Sequence, residues 1–275
     1  MTPERPPLTD RTALARNRER ALRMGDDGFF LHRLAQDEIK ERLALVKKSF
    51  TKPALVTGFA EIWDGTVPAA HVFADQEALG LRPRAHDLVV HAMALHWADD
   101  PLGQIIQSAR ALRPDGLFLA CLFGGQTLQE LRIALAEAEA DISGGLSPRI
   151  LPMAEIRDLG GLLQRAGLAL PVADLVSRKA AYPDMFALMH DLRAMGEGNA
   201  LAARSRAGPR RAVLDRAAEI YQQNYPAAAG IVASFDIIFL SGWAPHSDQP
   251  RPLRPGSATH SLDQALERAK STPRD

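Results

Sequence analysis

His96-Trp97 follows the apolar run HDLVVHAM, and Phe123-Gly124-Gly125 follows the next one, GLFLACLF. Both sit at the carboxyl end of a strand candidate, which is where α/β sheets bind their ligands. His96 can carry a proton or touch a substrate, or it can simply pack beside Trp97. The glycines can let a substrate chain approach closely, or can make the turn into QTLQEL. Gly58 ends a further strand candidate, PALVTGF, and a buried strand running into a glycine turn is how a nucleotide-binding α/β domain begins. Other chemistries lack their residues. His86, His91 and His96 are five apart, which scatters them around a strand and turn, so no metal site is expected. The single cysteine, Cys121, lies inside GLFLACLF and reads as a small buried hydrophobe. No serine or cysteine has a recognisable base partner, so no catalytic residue is assigned.

The elements that must position these residues are legible in outline. The chain has 275 residues, 46% hydrophobic and 24% charged, with 33 basic and 33 acidic side chains. That is a soluble globular composition without the basic excess of a nucleic-acid binder. The polar, proline-rich start is unlike a secretory signal, and no apolar stretch is long enough to span a bilayer. A cytoplasmic location is the expectation. Residues 10 to 47 read as helical: ALARNRERALRM is heavily charged, and Ile39, Leu43 and Val46 form one stripe of DEIKERLALVKK. PALVTGF, AAHVFAD, HDLVVHAM and GLFLACLF are the strand candidates, three of them nearly continuous in apolar residues, as for strands covered on both faces. Between the last two, Ile105, Ile106, Ala109 and Leu112 mark a helix that Asp99 or Asp100 can cap, with Pro101 in its first turn and Pro114 and Gly116 ending it. After residue 125 helical patterns dominate, until IVASFDIIFLSGW reads as a last strand. The expected organisation is a helical extension over 1–50, an α/β domain over 51–245 with a helical insertion at about 126–225, and an irregular tail over 246–275.

Strand, LHW, helix and ALRPDGLFLA together resemble the second half of class I S-adenosylmethionine-dependent methyltransferases. FGGQTLQELR, GGLSPRILP, DLGGLLQRAGL, YPDMFALMHDLRAMGEGNA and RPLRPGSA narrow the resemblance to the methyltransferase-fold assembly factor family of respiratory complex I. It runs from about Val72 to the tail. It implies a Rossmann-like class I methyltransferase sheet, with the last strand antiparallel at an edge. It also implies a role in maturing a complex I subunit, hence a protein substrate, and links the family to arginine hydroxylation as well as to methyl transfer. Asp75, in VFADQEALGL, would sit near the adenine of S-adenosylmethionine, and Asp87 would open the fourth strand and line the cleft. Tyr182-Pro183 and Met195-Gly196-Glu197-Gly198-Asn199, which the family pattern retains, either shape a substrate lid or start and stop one helix.

The cofactor half departs from that pattern. In the family an acidic residue on strand one precedes a loop of the type GxGxG; here the strand continues Thr57-Gly58-Phe59-Ala60-Glu61. Only 17 positions separate Gly58 from Asp75, whereas one strand-helix-strand unit takes about 30 residues. The sheet is therefore expected to be shortened on its cofactor side. One outcome, which the resemblance implies, is a protein arginine hydroxylase, for which no iron-binding triad is legible; the cofactor half allows two more. Gly58, Asp75 and Asp87 still hold S-adenosylmethionine and the chain is an active methyltransferase, or the site is degenerate and the chain binds a protein substrate through His96, Trp97, Phe123, Gly124, Gly125 and Tyr182 without a cofactor.

Overall fold

The computed structural model describes residues 6–249. The tail motif around Arg251, Arg254 and PGSA lies outside the described residues. Two helices come first, α1 (Arg11–Met24) and α2 (Phe30–Leu45), joined by a short 3-10 turn at Asp26–Phe29. Asp10 caps α1 by accepting from the amide of Ala13 at 3.0 Å. The sheet then begins with β1 (Pro53–Thr57), and the one-turn helix α3 (Ala60–Trp63) leads to β2 (His71–Ala74). β3 (His86–Ala92), α4 (Pro101–Ala111) and β4 (Leu112–Gly124) form the expected strand, helix, strand unit. Asp100 rather than Asp99 caps α4, its carboxylate accepting from Gly103 N at 2.8 Å. The chain continues through α5 (Gln129–Ser143), α6 (Ile156–Arg165), β5 (Ala169–Tyr182), α7 (Met185–Ala194), α8 (Arg211–Asn224), β6 (Pro226–Ala227) and β7 (Gly230–Trp243).

The sheet order is β2-β1-β3-β4-β7-β5, with the two-residue β6 paired to β7. β2, β1, β3 and β4 are parallel, and β7 is antiparallel to both β4 and β5. Strand alternation divides the core between the two faces. Leu88, Val90, Leu117, Leu119, Cys121, Phe235 and Ile237 meet α2, α5, α7 and α8 on one face. Val89, Phe118, Ala120, Leu122, Ile238 and Leu240 meet α4 and α6 on the other.

Three expectations need correction. The stretch read as a helical insertion contains β5, a 14-residue strand. It is mostly exposed and alternates polar with apolar residues, so it carries none of the continuous apolar signal of a central strand. The last strand is consequently not at the edge: β7 lies between β4 and β5. Finally, Arg113-Pro114-Asp115-Gly116 is not a helix stop but an irregularity inside β4, where the register moves from His86–Leu112 to Leu88–Leu117. The shortened link is present as read: residues 58–70 join β1 to β2, and the two strands pair directly.

Candidate functional site

The carboxyl ends of β1, β2, β3 and β4 bring Gly58, Asp75, His96, Trp97, Phe123, Gly124 and Gly125 to one edge of the sheet. Asp87 does not join them. It stands at the opposite, amino-terminal end of β3, where its carboxylate accepts from Thr51 N at 2.6 Å, Thr51 Oγ1 at 2.9 Å and Lys52 N at 2.9 Å. Burial works against its ionisation, but these donors hold its carboxyl below the ordinary range. It is a clasp between chain segments.

At the β1 and β2 end, the N-terminal helix occupies the space in front of both expected cofactor residues. Arg18 donates from Nη1 to Asp75 Oδ1 at 2.7 Å and from Nη2 to Oδ2 at 2.9 Å, a fork-to-fork pair. Arg11 lies 3.4 Å from the same carboxylate and donates to the Asp75 carbonyl. A Cβ on Gly58 would stand 2.5 Å from Arg18 Nε, so only glycine lets the guanidinium lie this close to the β1 turn. The guanidinium also faces the Phe59 ring, 5.7 Å from its centroid. Asp75 is buried, which would raise its carboxyl, but Arg18 and then Arg11 hold it below the usual value. Arg11, Leu14, Arg18 and Ala21 share one face of α1, so the two cations sit on the stripe that also carries the buried Leu14 and Ala21.

The β3 and β4 end is built differently. His96 and Trp97 lie in a 3-10 turn after β3, both buried, and both reach Glu197, which follows α7. Trp97 Nε1 donates to Glu197 Oε2 at 2.9 Å, and His96 Nε2 lies 3.3 Å from Oε1. Burial alone would raise the Glu197 carboxyl; His96, His32 and Arg18 around it hold it below the ordinary range. Phe123 packs edge-on to His96, with ring centroids 5.2 Å apart. The N-terminal arm closes one side: Leu8 N and Thr9 N donate to Asp99 Oδ1, and Thr9 Oγ1 donates to the Trp97 carbonyl.

Beside this cluster is a cavity of about 330 Å³. Its walls are mostly apolar, among them Leu131, Leu151, Met153, Met189 and Phe235, and Trp97, Phe123 and Glu197 also line it. Such a volume is at the lower end of small-molecule pockets and suits a side chain. The two glycines do not line it. A Cβ on Gly124 would come 2.9 Å from the Ala154 carbonyl. Gly125 has φ +53°, and its Cβ would meet Asp236 Oδ2 at 2.5 Å. They make the turn into α5. Tyr182 is also apart from it: it is buried at the end of β5 opposite Ile231, and burial followed by the Asp191 carboxylate raises its phenol above the ordinary range. The three histidines spaced by five have three different partners: His86 the Lys52 carbonyl, His91 Gln104 and His96 Glu197. Among the described residues no cluster of three His, Cys, Asp or Glu side chains is placed to hold a metal. No helix there is long and apolar enough to cross a membrane.

The residues missed by sequence reasoning are Arg11, Arg18, His32 and the central role of Glu197. His32 is fully buried on α2, and its Nδ1 accepts from Trp63 Nε1 at 3.0 Å. Arg11 and Arg18 left one usable signal, the seven-residue spacing that places both on the face of Leu14.

No family model matches the chain. Curated proteins do. "Arginine-hydroxylase NDUFAF5, mitochondrial" of Homo sapiens is 41% identical over 202 residues, covering 71% of this chain and 57% of that protein. Its Danio rerio counterpart is 39% identical over 197 residues, 71% of this chain and 61% of that protein. A malonyl-(acyl-carrier protein) O-methyltransferase of Xylella fastidiosa is 33% identical over 181 residues, 66% of this chain and 59% of the enzyme. Among solved structures, Haemonchus contortus phosphoethanolamine N-methyltransferase 2, in complex with S-adenosyl-L-methionine, superposes at a TM-score of 0.41 with 9% identity, over 77% of this chain and 53% of that one. The chain spans about three fifths of the length of the curated relatives it matches. Over that span the chain is similar to the NDUFAF5 arginine-hydroxylases, and it is built on a mixed α/β sheet of order β2-β1-β3-β4-β7-β5.

Proposed function

We propose that this chain is a protein-binding member of the NDUFAF5 family, acting in the maturation of a respiratory complex I subunit, and that its cofactor half is closed. In this fold a nucleoside would need the open backbone face of Gly58 and a free carboxylate at the next strand end. Arg18 lies against the first and forks onto the second. The residues present therefore do not fit S-adenosylmethionine. The observation that carries the reading is the contrast along one sheet edge: closed by Arg18 over Gly58 and Asp75, open over Trp97, Phe123 and Glu197.

The open part takes a cationic side chain on an apolar stem. Glu197 supplies the negative charge at depth, Trp97 and Phe123 supply ring faces and edges, and the walls bury methylenes. The relatives are named arginine-hydroxylases, which makes an arginine of the target protein the natural occupant. Their names also place them in mitochondria, a compartment that composition did not suggest.

Two titrations test the reading. Thermal unfolding with S-adenosylmethionine and S-adenosylhomocysteine at millimolar concentration is expected to show no stabilisation. Binding at a hundredfold excess over Kd would add on the order of 2.7 kcal/mol, and a melting point raised to that extent overturns the closed-cofactor reading. Calorimetry with arginine-containing peptides is expected to show binding that Glu197→Gln weakens; binding indifferent to that substitution removes Glu197 from the site.

A further inference from the structure

We propose that the mouth of the cavity selects a polypeptide segment carrying acidic residues on both sides of the inserted cationic side chain. This rests on the reading that such a side chain enters the cavity. The cavity has three zones of different chemistry. At depth, Glu197 and Trp97 meet. Most of the wall is leucine, isoleucine, methionine and phenylalanine, with Asn17, Thr127 and Asn199 also on it. The charged lining residues that are exposed are Arg20 of α1 and Arg193 of α7. Neither makes an ion pair among the described residues. Arg149 also lines the cavity, but Glu139 already neutralises it. Pro209 lines the cavity, and the exposed Arg210 and Arg211 come directly after it; Arg211 has only a loose contact with Asp215, at 3.7 Å. Glu19 precedes Arg20 on α1 but does not line the cavity.

The chain as a whole has no net charge, so this concentration of arginines is local. A cationic rim repels an approaching basic side chain unless the segment that presents it brings compensating negative charge. Placing that charge on the flanking residues satisfies the rim while leaving the inserted cation for Glu197. It also accelerates encounter and discriminates against uniformly basic segments. Arg20 and Arg193 belong to different helices on the same cavity, so they can meet residues before and after the inserted one.

The test uses the full chain and three labelled synthetic peptides, read by fluorescence anisotropy. One has a central arginine between glutamates, the second the same arginine between glutamines, and the third a central glutamine between glutamates. The first is expected to bind about tenfold more tightly than the second at low salt, with the difference closing at high salt as the rim charges are screened. The double variant R20E/R193E is expected to lose the preference for glutamate flanks. Equal affinity for the first two peptides overturns the acidic-flank proposal and leaves the arginine reading standing. Equal affinity for the first and third overturns the arginine reading, and with it the basis of the proposal. Absence of binding by all three overturns both. The salt titration of the unmodified protein decides the matter even if the double variant folds poorly.

Discussion

Replacing Arg18 with methionine keeps an unbranched apolar stem and removes the charge and the fork of donors. The Arg18 side chain is 12% exposed and that of Asp75 4%, so both charges are largely out of water. Deleting one partner of such a pair costs about 3–5 kcal/mol, because the other charge is left buried and uncompensated. Arg11 still faces Asp75 at 3.4 Å, so the expected loss is at the low end, about 3 kcal/mol. Domains of this size have ~5–15 kcal/mol to lose. The loss must also depend on pH. In the unmodified protein the Asp75 carboxyl is held below 3.8. Its stabilisation is therefore full above the unfolded pKa and is lost as pH falls through the folded one. In the variant burial dominates and the carboxyl rises above 3.8. Ionised Asp75 then costs stability at neutral pH, and acidification relieves that cost. The difference between the two proteins is thus largest near neutrality and shrinks toward about pH 4. Urea unfolding followed through the three tryptophans measures it. A difference below about 1 kcal/mol at neutral pH, the size of an exposed ion pair, refutes the closed cofactor half as drawn; so does a difference that pH leaves unchanged. Gly58→Ala adds an independent arm: it should cost about 1–3 kcal/mol by overpacking against Arg18 and almost nothing in an Arg18→Ala background, a coupling that a double-mutant cycle reads directly.

His32 and His91 are both buried and held down to about 4 by burial. The unfolded chain takes up protons at these positions first, so stability should fall as pH drops from about 6.5 to about 4, by roughly 1.4 kcal/mol per pH unit for each histidine; a flat profile across that window would place the rings in water. Cys121 is pushed up to about 12 by burial, so a thiol reagent should modify it only at the rate of unfolding, and rapid labelling of the native protein would contradict its position on the central strand. Asp87→Ala should cost about 1–3 kcal/mol through the lost bonds to Thr51 and Lys52, with no change in the affinity for arginine peptides; weakened peptide binding at unchanged fold would return Asp87 to the site.

Much of the sheet could be read because its central strands are covered on both faces. PALVT, HDLVVHA and GLFLACLF are nearly continuous in apolar residues, as burial on two sides asks. The helix between the last two announced itself through Asp99 or Asp100, Pro101 and an apolar stripe, and the structure selects Asp100. β5 could not be read in the same way. ALPVADLVSRKAAY contains a proline, two basic residues and an aspartate, which an edge strand tolerates and a central strand does not. The resemblance implies β7 at an edge, which β5 occupies instead. The open half of the site was legible by the rule that chemistry gathers at strand ends, hence His96, Trp97 and Phe123. Glu197 was visible only within Met195-Gly196-Glu197-Gly198-Asn199, where a glutamate between glycines reads as a helix stop; its partners lie about 100 residues earlier in the chain.

The same separation explains why chain length pointed to a short cofactor side without indicating what covers it. Between β1 and β2 there is room for one turn of helix, so the ends of both strands need cover from elsewhere in the chain. Helix α1 supplies it, and does so with arginines on the face that would ordinarily be wholly apolar. A guanidinium on a buried stripe is viable only where a carboxylate meets it. Here that carboxylate is Asp75, 57 residues away. Taken alone, ALARNRERALRM is a solvated charged helix and HVFAD is a strand that ends in a polar residue. Each local pattern permits many structures. The long-range pairing, together with the one glycine that lets the guanidinium approach, selects the structure in which the helix closes the cleft. A substitution that keeps every local pattern but breaks this complementarity, Asp75→Leu for example, leaves two partly buried cations facing an apolar side chain. It should displace α1 before it disturbs β1, and hydrogen exchange can follow that order: amides of Arg11–Met24 should lose protection while those of Pro53–Thr57 keep theirs.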